Sequence, residues 1–158
     1  MKIDGVSEVM HALYRGHRAE AEAAAVDGEL DVFEAAALGR HPRLAELLRG
    51  DESLALAWSD DGFTALHYAC FFGHPDCTIT LLDAGALIDE PSRNDMGVRP
   101  INAAAAGQQP FDHVRILIAR GADVDGRQTS GHTALDEARL RDDQPSVDLL
   151  QHVGGAQA

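Results

Sequence analysis

Aromatic residues are scarce: Phe, Trp and Tyr make up 5% of the 158 residues, although 45% of the chain is hydrophobic. Alanine and leucine dominate the apolar share, which suits closely packed helices. A β-sandwich would draw on valine, isoleucine and aromatics instead. Cysteine is nearly absent. Cys70 and Cys77 stand seven positions apart with no Cys-x-x-Cys pair, and both fall among apolar residues of a helical stretch. Buried free thiols, and with them a reducing compartment, are the expectation there. No apolar run approaches ~18 residues, so no transmembrane span is expected. Residues 1–5 lack the apolar stretch of a secretory signal, and a cytoplasmic location is expected. Basic residues are the minority, 13 against 26 acids, for a net charge of −13. Such a surface repels phosphate backbones and argues against nucleic acid. It fits a protein partner with a basic or mixed-charge patch, and it also serves solubility. No Gly/Ser-rich or proline-rich linker interrupts the chain, so residues 1–158 read as one domain. No glycine-rich phosphate loop of Walker or Rossmann form is present.

What is present is a period. Residues 62–69 (Gly-Phe-Thr-Ala-Leu-His-Tyr-Ala) return as 131–138 (Gly-His-Thr-Ala-Leu-Asp-Glu-Ala), with 97–104 (Gly-Val-Arg-Pro-Ile-Asn-Ala-Ala) between them. The leading glycines, Gly62, Gly97 and Gly131, lie 35 and 34 residues apart. A second ladder, Gly85-Ala86, Gly121-Ala122 and Gly154-Gly155, keeps pace with spacings of 36 and 33. Each period reads as helix, tight turn, helix, loop. In the clearest copy Thr64 suits a helix N-cap, and Leu66, Ala69 and Cys70 form an apolar stripe at helical spacing. Gly73-His74-Pro75 closes one helix and opens the next. Ile79, Leu81 and Leu82 face inward from the second helix, and Gly85 stops it.

This pattern resembles the ankyrin repeat, on Gly62-Phe63-Thr64-Ala65-Leu66-His67-Tyr68-Ala69, Gly73-His74, Leu81-Leu82 and Gly85-Ala86. Alanine takes the family's proline position in two copies, and Pro100 keeps it in the third. The resemblance implies an all-α ankyrin-repeat solenoid of about five helix-turn-helix units with short β-hairpin-like loops. The units fall near 5–27, 28–51, 60–89, 95–125 and 129–156. The hairpin between the first two units is expected to be missing, because Gly28-Glu29 leads straight into the next first helix. The loop over 89–96 is about two residues long by comparison, and one extra residue falls near Gln108. Asp142 stands where a turn glycine is expected. The helix over 146–153 carries Asp148, Gln151 and His152, as a terminal unit with one wet face would.

Chemistry is harder to find. Eight histidines show no ligand spacing such as His-x-x-x-His, and no metal site or cofactor is expected. The resemblance implies that His67 holds loop backbone with Thr64 and that His74 sits in the inter-helix turn. Cys70 and His67 share a helix face, but Cys70 stands at a packing position and not in the polar, partly exposed setting of a reactive thiol. The paired carboxylates Asp60-Asp61, Asp89-Glu90, Asp123 with Asp125, and Asp142-Asp143 all fall in turns, where solvated cap roles are ordinary. No catalytic residue is assigned.

The resemblance implies that hairpin tips and first helices line a concave face. The partner-binding residues expected there are Trp58, Asp60, Asp61, Phe63, Phe71, Phe72, Asp95, Met96, Val98, Arg99, His132 and Arg141. Trp58, Phe63, Phe71 and Phe72 cluster in one repeat, as interface anchors do. Packing under the linker or on a neighbour is the ordinary alternative for Trp58 and for one of the phenylalanines. Arg99 replaces a capping threonine, which repeat drift or a ligand-facing charge would explain. The expected function is a scaffold that binds a partner protein as a monomer. The alternative is an enzyme or small-molecule binder with a pocket near Arg99, Asn102, His67 and His132.

Overall fold

The helices start and stop where local chemistry dictates. The computed structural model describes residues 2–3 and 6–157, and the side chains of 6–154. Met1, Asp4, Gly5 and Ala158 lie outside the described residues, and with them the first position of the unit placed at 5–27. After a short antiparallel pair, β1 (Lys2–Ile3) and β2 (Val6–Ser7), come five helix pairs: α1 (Glu8–Tyr14) with α2 (Arg18–Ala24), α3 (Val32–Leu38) with α4 (His41–Gly50), α5 (Ala65–Phe72) with α6 (Pro75–Asp83), α7 (Pro100–Ala105) with α8 (Pro110–Ala119), and α9 (Ala134–Leu140) with α10 (Gln144–Gln157). Ser7, Asp31 and Thr133 accept a bond from a backbone N–H of the helix each precedes, at 3.2, 2.9 and 3.3 Å. This satisfies one of the donors every helix start leaves free. Gly39 and Gly73 end α3 and α5 at φ 75° and 83°, a left-handed turn that glycine adopts without a Cβ clash.

Packing runs mainly between neighbours, although Tyr14 of α1 also reaches Tyr68 of α5. The first helices stack in the order α1, α3, α5, α7, α9, and the second helices α4, α6, α8, α10 stack behind them. The core follows that line. Leu38, Leu44, Leu66, Leu81, Ile101, Val114 and Leu117 are fully buried, each contributing about 1.5–3 kcal/mol of transfer free energy. Alanines 35–37, 65, 69, 104 and 105 have no exposed surface, which lets first helices approach closely. The second helices are also stitched by side chains. His41 meets the Thr80 hydroxyl at 2.7 Å, His113 meets Thr78 at 3.1 Å, and Arg120 pairs with Asp83 at 2.8 Å.

The loops between pairs are closed hairpin tips. Backbone bonds join Ser59 to Phe63, Ser92 to Val98 and Gln128 to His132. The middle tip thus spans two more residues than the others. Consecutive tips are bonded to each other, Arg93 N–H to the Gly62 carbonyl at 2.8 Å and Thr129 N–H to the Met96 carbonyl at 2.9 Å. Between the first two pairs there is no tip, and a single 3-10 turn over Asp27–Glu29 joins α2 to α3. The last helix departs from expectation: α10 continues through Gly154 to Gln157, where the glycine ladder predicts a stop.

Candidate functional site

A groove crosses the face made by first helices and hairpin tips. It has a volume of about 360 Å³ and is walled by Phe63, Phe71, Phe72, Met96, Val98 and Ala103, with Tyr14 at one end and Gln128 at the other. Met96 is 51% exposed and Phe71 41%. Phe71 stands edge-on to Phe72, with ring centroids 5.1 Å apart. Phe63 lies 5.5 Å from the Tyr68 ring and 5.8 Å from His67. The two extra residues of the middle tip bring Met96 over this groove. Asn94 holds the tip in shape, its Oδ1 accepting from Ser92 Oγ (2.8 Å) and Met96 N–H (3.0 Å) while its amide donates to the Asp61 carbonyl (2.9 Å).

The polar atoms at the groove are already engaged. His67 accepts from Thr64 N–H at 3.1 Å through Nδ1 and donates from Nε2 to the Val98 carbonyl at 2.9 Å. Burial lowers its pKa to about 4, so the ring is neutral and structural near pH 7. Gln128 donates to Glu137 at 2.8 Å. The Tyr14 hydroxyl donates to Asp61 at 2.8 Å, and Tyr68 lies 2.8 Å from Tyr14 and 2.9 Å from Ser59 Oγ. Burial and these neighbours push the Tyr14 hydroxyl far above its ordinary pKa. With its polar groups paired inward, the groove offers a partner mainly apolar contact.

The remaining expected residues take several places. Trp58 is half-buried, and the Arg93 guanidinium lies 4.1 Å above its ring. Asp60 and Asp95 are exposed on their tips, while Asp61 is half-buried and tied to Tyr14. His132 is exposed, 3.5 Å from Glu137. Three of the expected residues are engaged within the fold. Phe72 is only 4% exposed and belongs to the core wall, whereas its neighbour Phe71 is open to solvent. Arg99 is half-buried: its guanidinium donates to the Asp89 carbonyl at 3.0 Å and its stem lies against Gly126. Arg141 is bonded to the Ala106 and Gly107 carbonyls at 2.8 and 3.0 Å, where it satisfies the end of α7. The alternative pocket is not assembled, since Asn102 is fully buried and donates to the Gly126 carbonyl at 3.4 Å. Of its four residues only His67 lines the groove.

Burial pushes the Cys70 thiol up to about 12, which leaves it protonated and inert at neutral pH. Cys77 is likewise buried, and its thiol is pushed up to about 12. Among the described residues no three His, Cys, Asp or Glu side chains converge as a metal cage would need, and no helix is long and apolar enough to cross a membrane. The residues missed were Tyr14, Tyr68 and Ala103. Tyr14 ends α1 as Phe72 ends α5, so register along the first helices was the signal that could have found it.

Comparison with known proteins agrees with this architecture. The family described as ankyrin repeats (many copies) matches residues 21–82. The chain is also 31% identical over 134 residues to a transient receptor potential cation channel subfamily A member 1 homolog from Caenorhabditis elegans. That match takes in 83% of this chain and 11% of the relative, so the chain spans about a ninth of that protein's length. With its stacked helix pairs and mutually bonded hairpin tips, the chain is an ankyrin-repeat protein.

Proposed function

We propose that the chain binds a partner protein through the face of its first helices and hairpin tips, with the apolar groove as the anchor point. Ankyrin repeats are in general protein-interaction modules. The observation that supports the face is the groove itself. Two large apolar side chains, Phe71 and Met96, stand exposed beside each other at a cavity whose polar atoms are satisfied from within. Exposed anchors of this kind beside a polar rim are how interfaces concentrate their energy. The acidic balance favours a partner with a basic or mixed-charge patch, and the chain acts as a monomer with no cofactor.

The test is quantitative affinity purification with the full chain. Wild type is compared with a Phe71→Ala/Met96→Ala variant and with Arg115→Ala, a control on the outer helix α8. Proteins enriched by wild type should fall to background with the double variant and persist with the control. Undiminished recovery by the double variant, or loss with the control alone, contradicts the groove as the binding face.

A further inference from the structure

A second, polar depression lies beside the groove. This cleft of about 90 Å³ is lined by Trp58, Ser59, Asp60, Asp61 and Tyr68, together with residues of β2, α1 and the start of α3. Its origin is the missing hairpin. Later tips cover one another, Arg93 bonding to Gly62 and Thr129 to Met96. Among the described residues the tip over residues 59–63 has no hairpin tip bonded to it on its N-terminal side, where residues of β2 and α1 line the cleft instead and a single Asp27–Glu29 turn stands in place of a hairpin. Tyr68 lines both depressions and forms the divide between them.

The two differ in chemistry. The groove presents phenyl rings, a thioether and small apolar groups. The cleft presents carboxylates. Asp60 is exposed, and Asp61 accepts one bond, from Tyr14, while a carboxylate can accept several. Among the described residues the arginine–carboxylate pairs all lie elsewhere, and Arg93 rests on the Trp58 ring. The chain's charge of −13 adds a long-range attraction for cations to this local one.

Resting on the groove as the partner site, we infer that the partner segment carries a bulky apolar side chain with an arginine or lysine beside it. The apolar side chain fills the groove, and the cation enters the cleft against Asp60 and Asp61. An arginine suits the cleft well, because its planar fork can address a carboxylate with two parallel bonds.

A random dodecapeptide display library selected on the immobilised full chain tests this. Enriched peptides should place Phe, Trp, Leu or Met next to Arg or Lys. Synthetic copies should lose ~10-fold in affinity on the Phe71→Ala/Met96→Ala variant. They should lose ~3-fold or more on Asp60→Lys, as charge pairs at an interface rim do, and weaken with added salt. A copy with glutamate in place of its basic residue should bind wild type poorly and recover on Asp60→Lys. Enriched peptides that depend on Phe71 and Met96 but carry no basic residue, or ignore Asp60→Lys, overturn this inference and leave the groove reading standing. Enrichment of nothing, or of peptides indifferent to Phe71 and Met96, overturns both.

Discussion

Phe71 and Phe72 are adjacent in sequence and differ tenfold in exposure, 41% against 4%. The sequence places both at the end of a first helix but cannot say which points inward, because that depends on the rotation of α5 against α7. The energetic consequence is large. Phe72→Ala should cost about 3–5 kcal/mol, the range for an emptied core position, whereas Phe71→Ala should cost under ~1 kcal/mol. Urea unfolding followed by circular dichroism separates the two, and equal costs would contradict the placement. Arg99 illustrates the reverse problem: its substitution for threonine was visible, but its contact with Gly126 joins residues 27 apart in the chain. His67 carries a pH signature. Its folded pKa is depressed to about 4 by burial, below the ordinary ~6.5. The unfolded chain therefore binds the proton more tightly. The stability is fully present above pH ~6.5 and is lost progressively down to pH ~4, by about 3 kcal/mol for this residue. Burial also lowers His74 and His113, so their losses run in the same direction. Unfolding midpoints should fall between pH 7 and 5, and the fall should be shallower in His67→Gln. An equal slope in that variant would rule out His67 as a source.

At the scale of elements, turn chemistry made most of the fold readable. Two glycine ladders located the six helices of the last three units, and the long loop near 89–96 is the tip that closes between Ser92 and Val98. Asp142 stands where glycine was expected, and it adopts φ 53°, a left-handed conformation that strains a residue with a Cβ. Asp142→Gly should therefore stabilise the last pair by about 0.5–1 kcal/mol. Thermal unfolding reads this as a higher midpoint, and a lower one would show that the aspartate contributes more than its strain. Gly107 shows what spacing cannot reveal. A Cβ there would lie 2.5 Å from the Phe71 carbonyl oxygen, because the end of α7 nearly touches α5. Tyr14 likewise reaches across 47 positions to Asp61, past a unit that has no hairpin. Tyr14→Phe should loosen α1 at a cost of about 1 kcal/mol, since it removes the donor to Asp61. Faster hydrogen exchange confined to residues 8–24 is the expected readout, and unchanged exchange there would contradict the latch.

The whole molecule is a line of units, each hiding its apolar face mainly against the next. That architecture was legible in the sequence because the same local signals recur at one period. The groove was legible only in part. Phe63, Phe71, Met96 and Val98 follow from the family pattern, but the cavity between them arises from how separate units lean together, with Tyr14 of the first unit closing one end, which no single period encodes. The missing first hairpin matters at this scale too, since among the described residues it leaves the tip over 59–63 with no hairpin bonded on its N-terminal side and the acidic cleft open. Methionine provides a direct probe of the central claim. The chain has three methionines, of which Met96 is exposed at the groove and Met10 is buried. The deciding measurement is a methyl-labelled methionine NMR titration of the full chain with a partner recovered by affinity purification. The Met96 methyl signal should shift or broaden in step with saturation. A Met96 signal that stays unchanged while the partner saturates the chain would contradict the groove as the binding face.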